Sequence, residues 1–180
     1  MSKPEIETLA SKVVYQNRWM TVREDQIRRR DGSLGIYGVV EKSDFAVIAA
    51  VQNGSVYLVE QYRYPVGARC WELPQGTWDN ALNGPLELAN TELREETGLT
   101  AGRIQHVAKL HEAYGYSTQA FDLFFATHLT QGEAELEPEE QGLIAKAFPI
   151  STVAAMLCDG RITDAVTVAS FGLLRLKGLL

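Results

Sequence analysis

Three carboxylates fall within five residues of one predicted helix, in the segment ELREETGL at positions 92–99. Residues i, i+3 and i+4 share a helix face, so Glu92, Glu95 and Glu96 point in the same direction. Like charges at this spacing destabilise an isolated helix. Two interpretations follow: the carboxylates bind a hard cation such as Mg²⁺ or Mn²⁺, or they form a solvated acidic face.

Composition places the chain among globular domains. Its 180 residues allow one domain with a sizeable core, or a core plus a small additional module. A net charge of -6 argues against a nucleic-acid-binding surface. We find no apolar run of the roughly 18–20 residues that a membrane span requires. The two cysteines, Cys70 and Cys158, form neither a zinc spacing nor a disulfide framework, so we expect a cytoplasmic protein without membrane contact.

The pattern of apolar runs and turn signals predicts an α+β fold in which strands outnumber helices. Asn53-Gly54 is a hairpin signal between two apolar runs. A helix is expected from Pro85 to a glycine stop at Gly98. Its stripe of Leu86, Ala89 and Leu93 would face the core and leave the carboxylates unburied to one side. The remaining expectations are a long segment 62–84 that is not regular throughout, a helix capped by Ser151, and a last helix capped by Thr163 or Asp164.

Segment 92–99, preceded by Gly76, resembles the Nudix box, whose usual pattern is G-x5-E-x7-R-E-U-x-E-E-x-G-U. The segments NRW at 17–19, QYRYP at 61–65, WELPQG at 71–76 and GRITDA at 160–165 resemble the ADP-ribose pyrophosphatase branch of that family. This resemblance implies a Nudix-type α/β/α sandwich with a mixed sheet and an N-terminal antiparallel β unit. It also implies a dimerisation unit at residues 1–43, a hydrolase domain at 44–180 and a homodimer.

The chain departs from the box at three positions. Counted back from Gly98, the box glycine falls on Thr77, and Gly76 lies one residue earlier. The first glutamate of the box falls on Asn83 and its arginine on Thr91, so both partners of the family's bracing ion pair are absent. Losing both partners costs less than leaving one charge uncompensated.

The resemblance assigns roles to particular residues. The implied metal ligands for Mg²⁺ or Mn²⁺ are Gly76, Glu92, Glu95 and Glu96. The implied catalytic carboxylates are Glu92 and Glu96, with Glu139 or Glu140, in an acidic loop late in the chain, as the base. The implied substrate-binding residues are Arg63 at the phosphates, Trp19 stacked on a nucleobase, Trp78 shaping the pocket and Tyr116 on the sugar side. Ordinary structural roles compete with these: a surface ion pair for Arg63, the core for Trp19, and simple exposure for the late acidic loop.

Three functions are compatible with the sequence. The first is metal-dependent hydrolysis of a nucleoside diphosphate sugar, with ADP-ribose giving AMP and ribose 5-phosphate. The second is hydrolysis of GDP-mannose or another sugar nucleotide. The third is a catalytically weak Nudix-fold binding module, which the departures at Thr91 and Asn83 favour.

Overall fold

The computed structural model describes residues 4–77, 84–136 and 140–180. Within these ranges the chain forms ten strands and three helices, and the prediction of an α+β fold is confirmed. In chain order they are β1 (Ile6–Gln16), β2 (Thr21–Arg29), β3 (Leu34–Glu41), β4 (Phe45–Gln52), β5 (Ser55–Arg63), β6 (Ala68–Glu72), β7 (Gln75–Thr77), α1 (Pro85–Thr97), β8 (Leu99–His111), β9 (Ala120–Gln131), β10 (Ile144–Pro149), α2 (Ile150–Cys158) and α3 (Ala165–Leu176).

The molecule divides into two compact units. The first comprises Met1–Asp44 and Leu110–Phe121, and the second comprises Phe45–Lys109 and Asp122–Leu180. In the first unit, β1, β2 and β3 form an antiparallel sheet in that order. The Val40 N–H of β3 donates to the Tyr116 carbonyl at 2.8 Å. This contact joins segment 110–121 to the sheet, a segment that the boundary expected at residues 43/44 does not include.

The second unit contains a sheet of seven strands among the described residues, with the order β10-β5-β4-β9-β8, β6 paired to β5 and β7 paired to β4. Strands β4 and β5 are antiparallel and meet at the Asn53-Gly54 turn. The φ angles of these two residues are 52° and 74°. Positive φ at both central residues is the requirement of a type I′ turn, which matches the twist of a hairpin. The predicted hairpin is therefore confirmed.

Strand β4 forms the centre of the core, because every residue from Phe45 to Ala50 is buried. Successive side chains of a strand point to opposite faces, so both faces of the sheet are covered at this point. Ala46, Ile48 and Ala50 share a cluster with residues of α1. Leu73 directly follows β6, and its N–H donates to the Thr167 Oγ1 of α3 at 2.9 Å. The layers form the expected α/β/α sandwich with a mixed sheet.

Helix α1 begins and ends where the sequence predicts. It follows Gly84, which provides no side-chain cap, and it has Pro85 in its first turn. At its end Gly98 has φ 71°, a left-handed conformation that glycine adopts without strain, and its N–H donates to the Arg94 carbonyl at 2.8 Å. The last turn of α1, which carries Glu95 and Glu96, therefore ends at a chain reversal with a defined backbone conformation.

The buried face of α1 differs from the predicted stripe. Leu86 is 49% exposed, whereas Leu88, Ala89 and Leu93 form the core contact. The face continues into Glu96, which is 1% exposed, so the expectation that the carboxylates remain unburied is wrong for this residue. Hydrophobic periodicity cannot assign a charged residue to a core, because it counts such a residue as polar.

The two C-terminal helices are capped differently. Helix α2 begins at Ile150 with Pro149 in the capping position and no side-chain cap bond, so Ser151 lies inside the helix and is not its cap. Helix α3 is capped by Asp164, whose carboxylate accepts from the Thr167 N–H at 2.8 Å, as one of the two predicted alternatives. Strands β6 and β7 occupy part of segment 62–84, which we expected not to be regular throughout. No helix in the described part of the chain is both long enough and apolar enough to cross a membrane.

Candidate active site

Three carboxylates converge beside the C-terminal half of α1. Glu92 and Glu96 lie one helical turn apart, and Glu140 comes from the loop between β9 and β10. One carboxylate oxygen from each residue lies within 4.8 Å of the others. We call this group the carboxylate trio. Three anions at this distance repel one another strongly unless a cation or protons neutralise them.

Glu96 is the most constrained member of the trio. Its Oε2 accepts from the Gln75 N–H at 2.9 Å, while its buried Oε1 has no hydrogen-bond partner among the described residues. Burial raises the pKa of Glu96 well above its ordinary value, and the nearby charges of Glu92 and Glu140 raise it further. A buried oxygen without a donor, on a carboxylate that lies close to two others, fits a divalent cation with oxygen ligands.

Gly76 lies in direct contact with one carboxylate of the trio. On β7 it pairs with Ala46 of β4, and it packs against the side chain of Glu92. A Cβ at residue 76 would lie 1.9 Å from the Glu92 Cδ. The glycine therefore lets the strand pass directly beside the trio, one residue earlier than the usual box spacing requires.

Glu95 lies outside the trio, although the sequence groups it with Glu92 and Glu96. Its side chain is half-buried, and its Oε1 lies 3.7 Å from the Arg94 guanidinium. Its backbone carbonyl accepts from the Glu135 N–H at 3.0 Å. Glu92 and Glu96 therefore share the trio with Glu140, whereas the Glu95 side chain lies beside Arg94.

Arg63 is joined to a buried carboxylate that sequence reasoning did not single out. Its Nε donates to the Glu72 Oε2 at 3.1 Å, its Nη2 donates to Oε1, and the Gln61 amide donates to the same Oε1 at 2.8 Å. Glu72 is 2% exposed, and burial raises its pKa while Arg63 opposes that shift. The available signal was the position of Glu72 inside the WELPQG segment, two residues before a proline. The ion pair at Arg63 is therefore partly buried and not an ordinary surface pair.

Two expected substrate-binding residues lie in the first unit. Trp19 occupies a bend between β1 and β2 and is 61% exposed, so it is not a core residue. The Arg18 guanidinium lies 4.0 Å from its ring centroid. Tyr116 is 60% exposed in segment 110–121. Trp78, Glu139 and the departure at Asn83 lie outside the described residues.

The fold and the trio together define a Nudix-type hydrolase. A solved structure described as "Crystal structure of ADP compounds hydrolase" matches with a TM-score of 0.86 over 99% of this chain and 98% of that one. The sequence identity is 22%, so this likeness concerns the fold. The NUDIX domain profile matches residues 42–166, and the profile of the nucleoside diphosphate sugar hydrolase N-terminal domain matches residues 6–40.

The chain belongs to the Nudix family and is a pyrophosphohydrolase. A Mycobacterium tuberculosis protein named ADP-ribose pyrophosphatase is 33% identical over 171 residues, which cover 94% of this chain and 83% of that protein. A Yersinia enterocolitica protein named GDP-mannose pyrophosphatase is 30% identical over 139 residues, which cover 71% of this chain and 70% of that protein. The resemblance drawn from the box and its supporting motifs is thereby confirmed.

Proposed function

We propose that this protein hydrolyses the diphosphate bond of a nucleoside diphosphate sugar with a divalent cation, and that ADP-ribose, cleaved to AMP and ribose 5-phosphate, is the first candidate substrate. The observation that carries the proposal is the carboxylate trio, one member of which, Glu96, has a buried oxygen without a hydrogen-bond partner among the described residues. A diphosphate brings further negative charge to this site. Its approach becomes favourable only if a cation balances the charge of the carboxylates.

Within this proposal the trio supplies carboxylate oxygens to Mg²⁺ or Mn²⁺, which both prefer oxygen ligands. When bound, such a cation neutralises phosphate charge and lowers the pKa of a coordinated water. Helix α1 holds Glu92 and Glu96 in place. Glu139 and Glu140 are the candidates for the base that accepts the proton of the attacking water. Gly76 is a further candidate ligand through its carbonyl, and Glu95 is a candidate for an additional ligand position outside the trio.

The substrate-binding part of the proposal rests on four residues. Arg63 would contact the phosphates with a guanidinium that Glu72 already holds in place. Trp19 is available for stacking on a nucleobase because its ring is exposed. Tyr116 and Trp78 are proposed at the sugar and at the pocket wall, as the family resemblance implies. The sequence similarity to the ADP-ribose pyrophosphatase extends over 94% of this chain, and the similarity to the GDP-mannose pyrophosphatase over 71%. This difference supports ADP-ribose ahead of GDP-mannose.

We also propose a homodimer formed through the first unit. Every residue of β1 is exposed, and the sheet displays a large set of apolar side chains to solvent. The set includes Ile6, Leu9, Val13, Val14, Tyr15, Leu34 and Ile36. An exposed apolar surface of this kind is typical of an interface, and a second copy is the commonest partner. Sedimentation of the full chain should give a dimer, and Ile36→Lys should shift it towards monomer; a monomer at micromolar concentration contradicts the proposal.

A cytoplasmic location completes the proposal. Both Cys70 and Cys158 are free thiols, which suits a reducing compartment. Fractionation of cells that express the tagged chain would test this location directly. Recovery of the protein outside the cytoplasmic fraction would contradict it.

The activity test is hydrolysis of a panel of nucleoside diphosphate sugars by the purified protein, followed by phosphorus NMR, with Mg²⁺, Mn²⁺ or EDTA. We expect cleavage of ADP-ribose to AMP and ribose 5-phosphate with either cation and none with EDTA. Glu92→Gln should lower kcat/KM by roughly a hundredfold or more, since it removes a ligand of the cation. Glu87→Gln is the matched control, because Glu87 is an exposed carboxylate in the first turn of the same helix.

Preferential cleavage of GDP-mannose would support the second candidate substrate. Binding of ADP-ribose without cleavage under all these conditions would support the binding-module alternative, for which the box departures at Thr91 and Asn83 are the sequence argument. The trio favours turnover, because a module that only binds a nucleotide sugar has no need for a buried unpartnered carboxylate oxygen.

A further inference from the structure

The acidic loop, residues 132–143, of which the structure describes 132–136 and 140–143, carries Glu140 and begins by contacting the end of α1. The Gln131 Nε2 donates to the Thr97 carbonyl at 3.0 Å and to the Gly132 carbonyl at 2.9 Å. The Gly132 N–H donates to the Gly98 carbonyl at 2.8 Å. The last carbonyls of a helix have no partner within the helix, so these bonds satisfy groups that would otherwise need water. These hydrogen bonds connect the start of the loop to the helix that carries Glu92 and Glu96.

The contact between the helix end and residues 131–135 is close. A Cβ at Gly98 would lie 2.6 Å from the Gly132 carbonyl oxygen, so the two backbones approach as only glycine permits. The Glu135 N–H donates to the Glu95 carbonyl at 3.0 Å. Bonds at residues 131, 132 and 135 therefore fix the direction in which the chain leaves β9.

Arg69 forms a hydrogen bond to the other end of the loop. This side chain on β6 donates from Nη2 to the Gly142 carbonyl at 2.7 Å, from Nη2 to the Glu60 carbonyl at 3.0 Å, and from Nε to the Glu60 Oε2 at 2.9 Å. The Leu143 N–H donates to the Glu140 carbonyl at 2.9 Å. The guanidinium thus links the β5–β6 hairpin to a residue two positions from the carboxylate that joins the trio.

We propose that Arg69 and Gln131 are positioning residues that fix the two ends of the acidic loop and so place the Glu140 carboxylate against Glu92 and Glu96. This inference rests on the proposed function of the trio as a cation site. Two of its carboxylates are on a helix, whereas the third depends on a loop whose ends must be ordered. The exposed ion pair of Arg69 with Glu60 would by itself contribute little, since such pairs are weak. The bond to the Gly142 carbonyl gives the pair its specific role.

The test is the affinity for Mn²⁺, measured by calorimetry and by electron paramagnetic resonance on the full chain without substrate. Arg69→Ala and Gln131→Glu should each weaken Mn²⁺ binding by roughly 10–100-fold, the usual effect of losing a residue that orients a metal ligand. Gln131→Glu keeps the shape of the side chain but removes its donors. Arg161→Ala is the control, because that arginine also forms an exposed ion pair, with Asp159, two residues away. The control should bind Mn²⁺ like the wild type.

A double-mutant cycle separates positioning from a general structural role. If Arg69 acts through Glu140, then Arg69→Ala should weaken Mn²⁺ binding no further once Glu140→Gln is present. Additive losses in the two backgrounds would overturn the inference. Wild-type affinity in both Arg69→Ala and Gln131→Glu would also overturn it, and if Arg69→Ala fails to fold, Arg69→Lys takes its place with a smaller expected loss. Wild-type Mn²⁺ binding by Glu96→Gln would instead overturn the proposed cation site itself.

Discussion

Replacement of Glu96 by glutamine should stabilise the metal-free protein while abolishing its response to metal. Glu96 is buried, bonded to the Gln75 N–H through one oxygen and unpartnered at the other. In the variant, the amide oxygen keeps the bond from Gln75, and the side chain carries no charge beside Glu92 and Glu140. The substitution therefore removes two repulsions without changing the volume of the side chain.

The expected magnitude follows from the geometry of the trio. Two unit charges separated by 4.8 Å, the distance within which the oxygens of the group lie, repel by about 3.5 kcal/mol at an effective dielectric constant of about 20. Glu92 and Glu140 are only partly buried, so solvent screens much of this energy. We expect a gain of about 2 kcal/mol in the free energy of unfolding, or about 4–8 °C in Tm for a chain of this size.

The pH dependence of stability has a definite sign. The pKa of Glu96 is raised in the folded state above its ordinary value of 4.5, so between these two pKa values the folded protein binds more protons than the unfolded chain. Metal-free wild type should therefore lose stability as pH rises through this window. The Glu96→Gln variant should lack this component of the slope.

The assay is thermal unfolding with EDTA and with Mn²⁺ at several pH values. The glutamine variant should be the more stable protein in EDTA at pH 8. Saturating Mn²⁺ should reverse the order, since a ligand at a hundred times its Kd stabilises a native protein by about 2.7 kcal/mol. Glu87→Gln should follow the wild type in both conditions. A variant that unfolds at or below the wild-type temperature in EDTA would refute the argument from burial and repulsion.

Three further changes test other parts of the structure. Arg63→Ala leaves the buried Glu72 without its cation and should cost about 1–3 kcal/mol in urea unfolding; an unchanged midpoint would mean that the pair adds nothing to stability. Gly76→Ala must displace the Glu92 carboxylate and should weaken Mn²⁺ binding by roughly tenfold or more, whereas wild-type affinity would contradict the close approach. Asp164→Ala removes the cap of α3 and should cost about 1 kcal/mol with little change in kcat, and a loss of activity without a loss of stability would indicate a role in catalysis.

Local signals predicted the elements that local chemistry determines. The Asn53-Gly54 turn, the glycine stop at Gly98 and the cap at Asp164 each follow from a backbone conformation or a single hydrogen bond between near neighbours. Such features depend on a few consecutive residues and can be read from the chain. The prediction that Ser151 caps α2 is wrong because the helix begins one residue earlier, at Ile150, with Pro149 in the capping position.

The site could be predicted only as far as the helix alone determines it. Spacing groups Glu92, Glu95 and Glu96 on one face, but the partition of that face depends on a loop more than thirty residues later. That loop brings Glu140 into the trio, and its Glu135 N–H donates to the backbone carbonyl of Glu95. The pair of Arg63 and Glu72 likewise joins two strands across the sheet. These contacts are tertiary, and no periodicity of one segment contains them.

The absence of the box's arginine–glutamate brace is understandable from the contacts that α1 makes here. Thr91 stands where the arginine would be, so the helix lacks that charge. Its core face is nevertheless held by Leu88, Ala89 and Leu93 against β4. Its C-terminal end is tied to the chain after β9 by backbone and amide hydrogen bonds at residues 131, 132 and 135. Buried apolar contacts and satisfied helix carbonyls hold an element in place without the desolvation cost of a buried ion pair, so the carboxylate geometry persists without the brace.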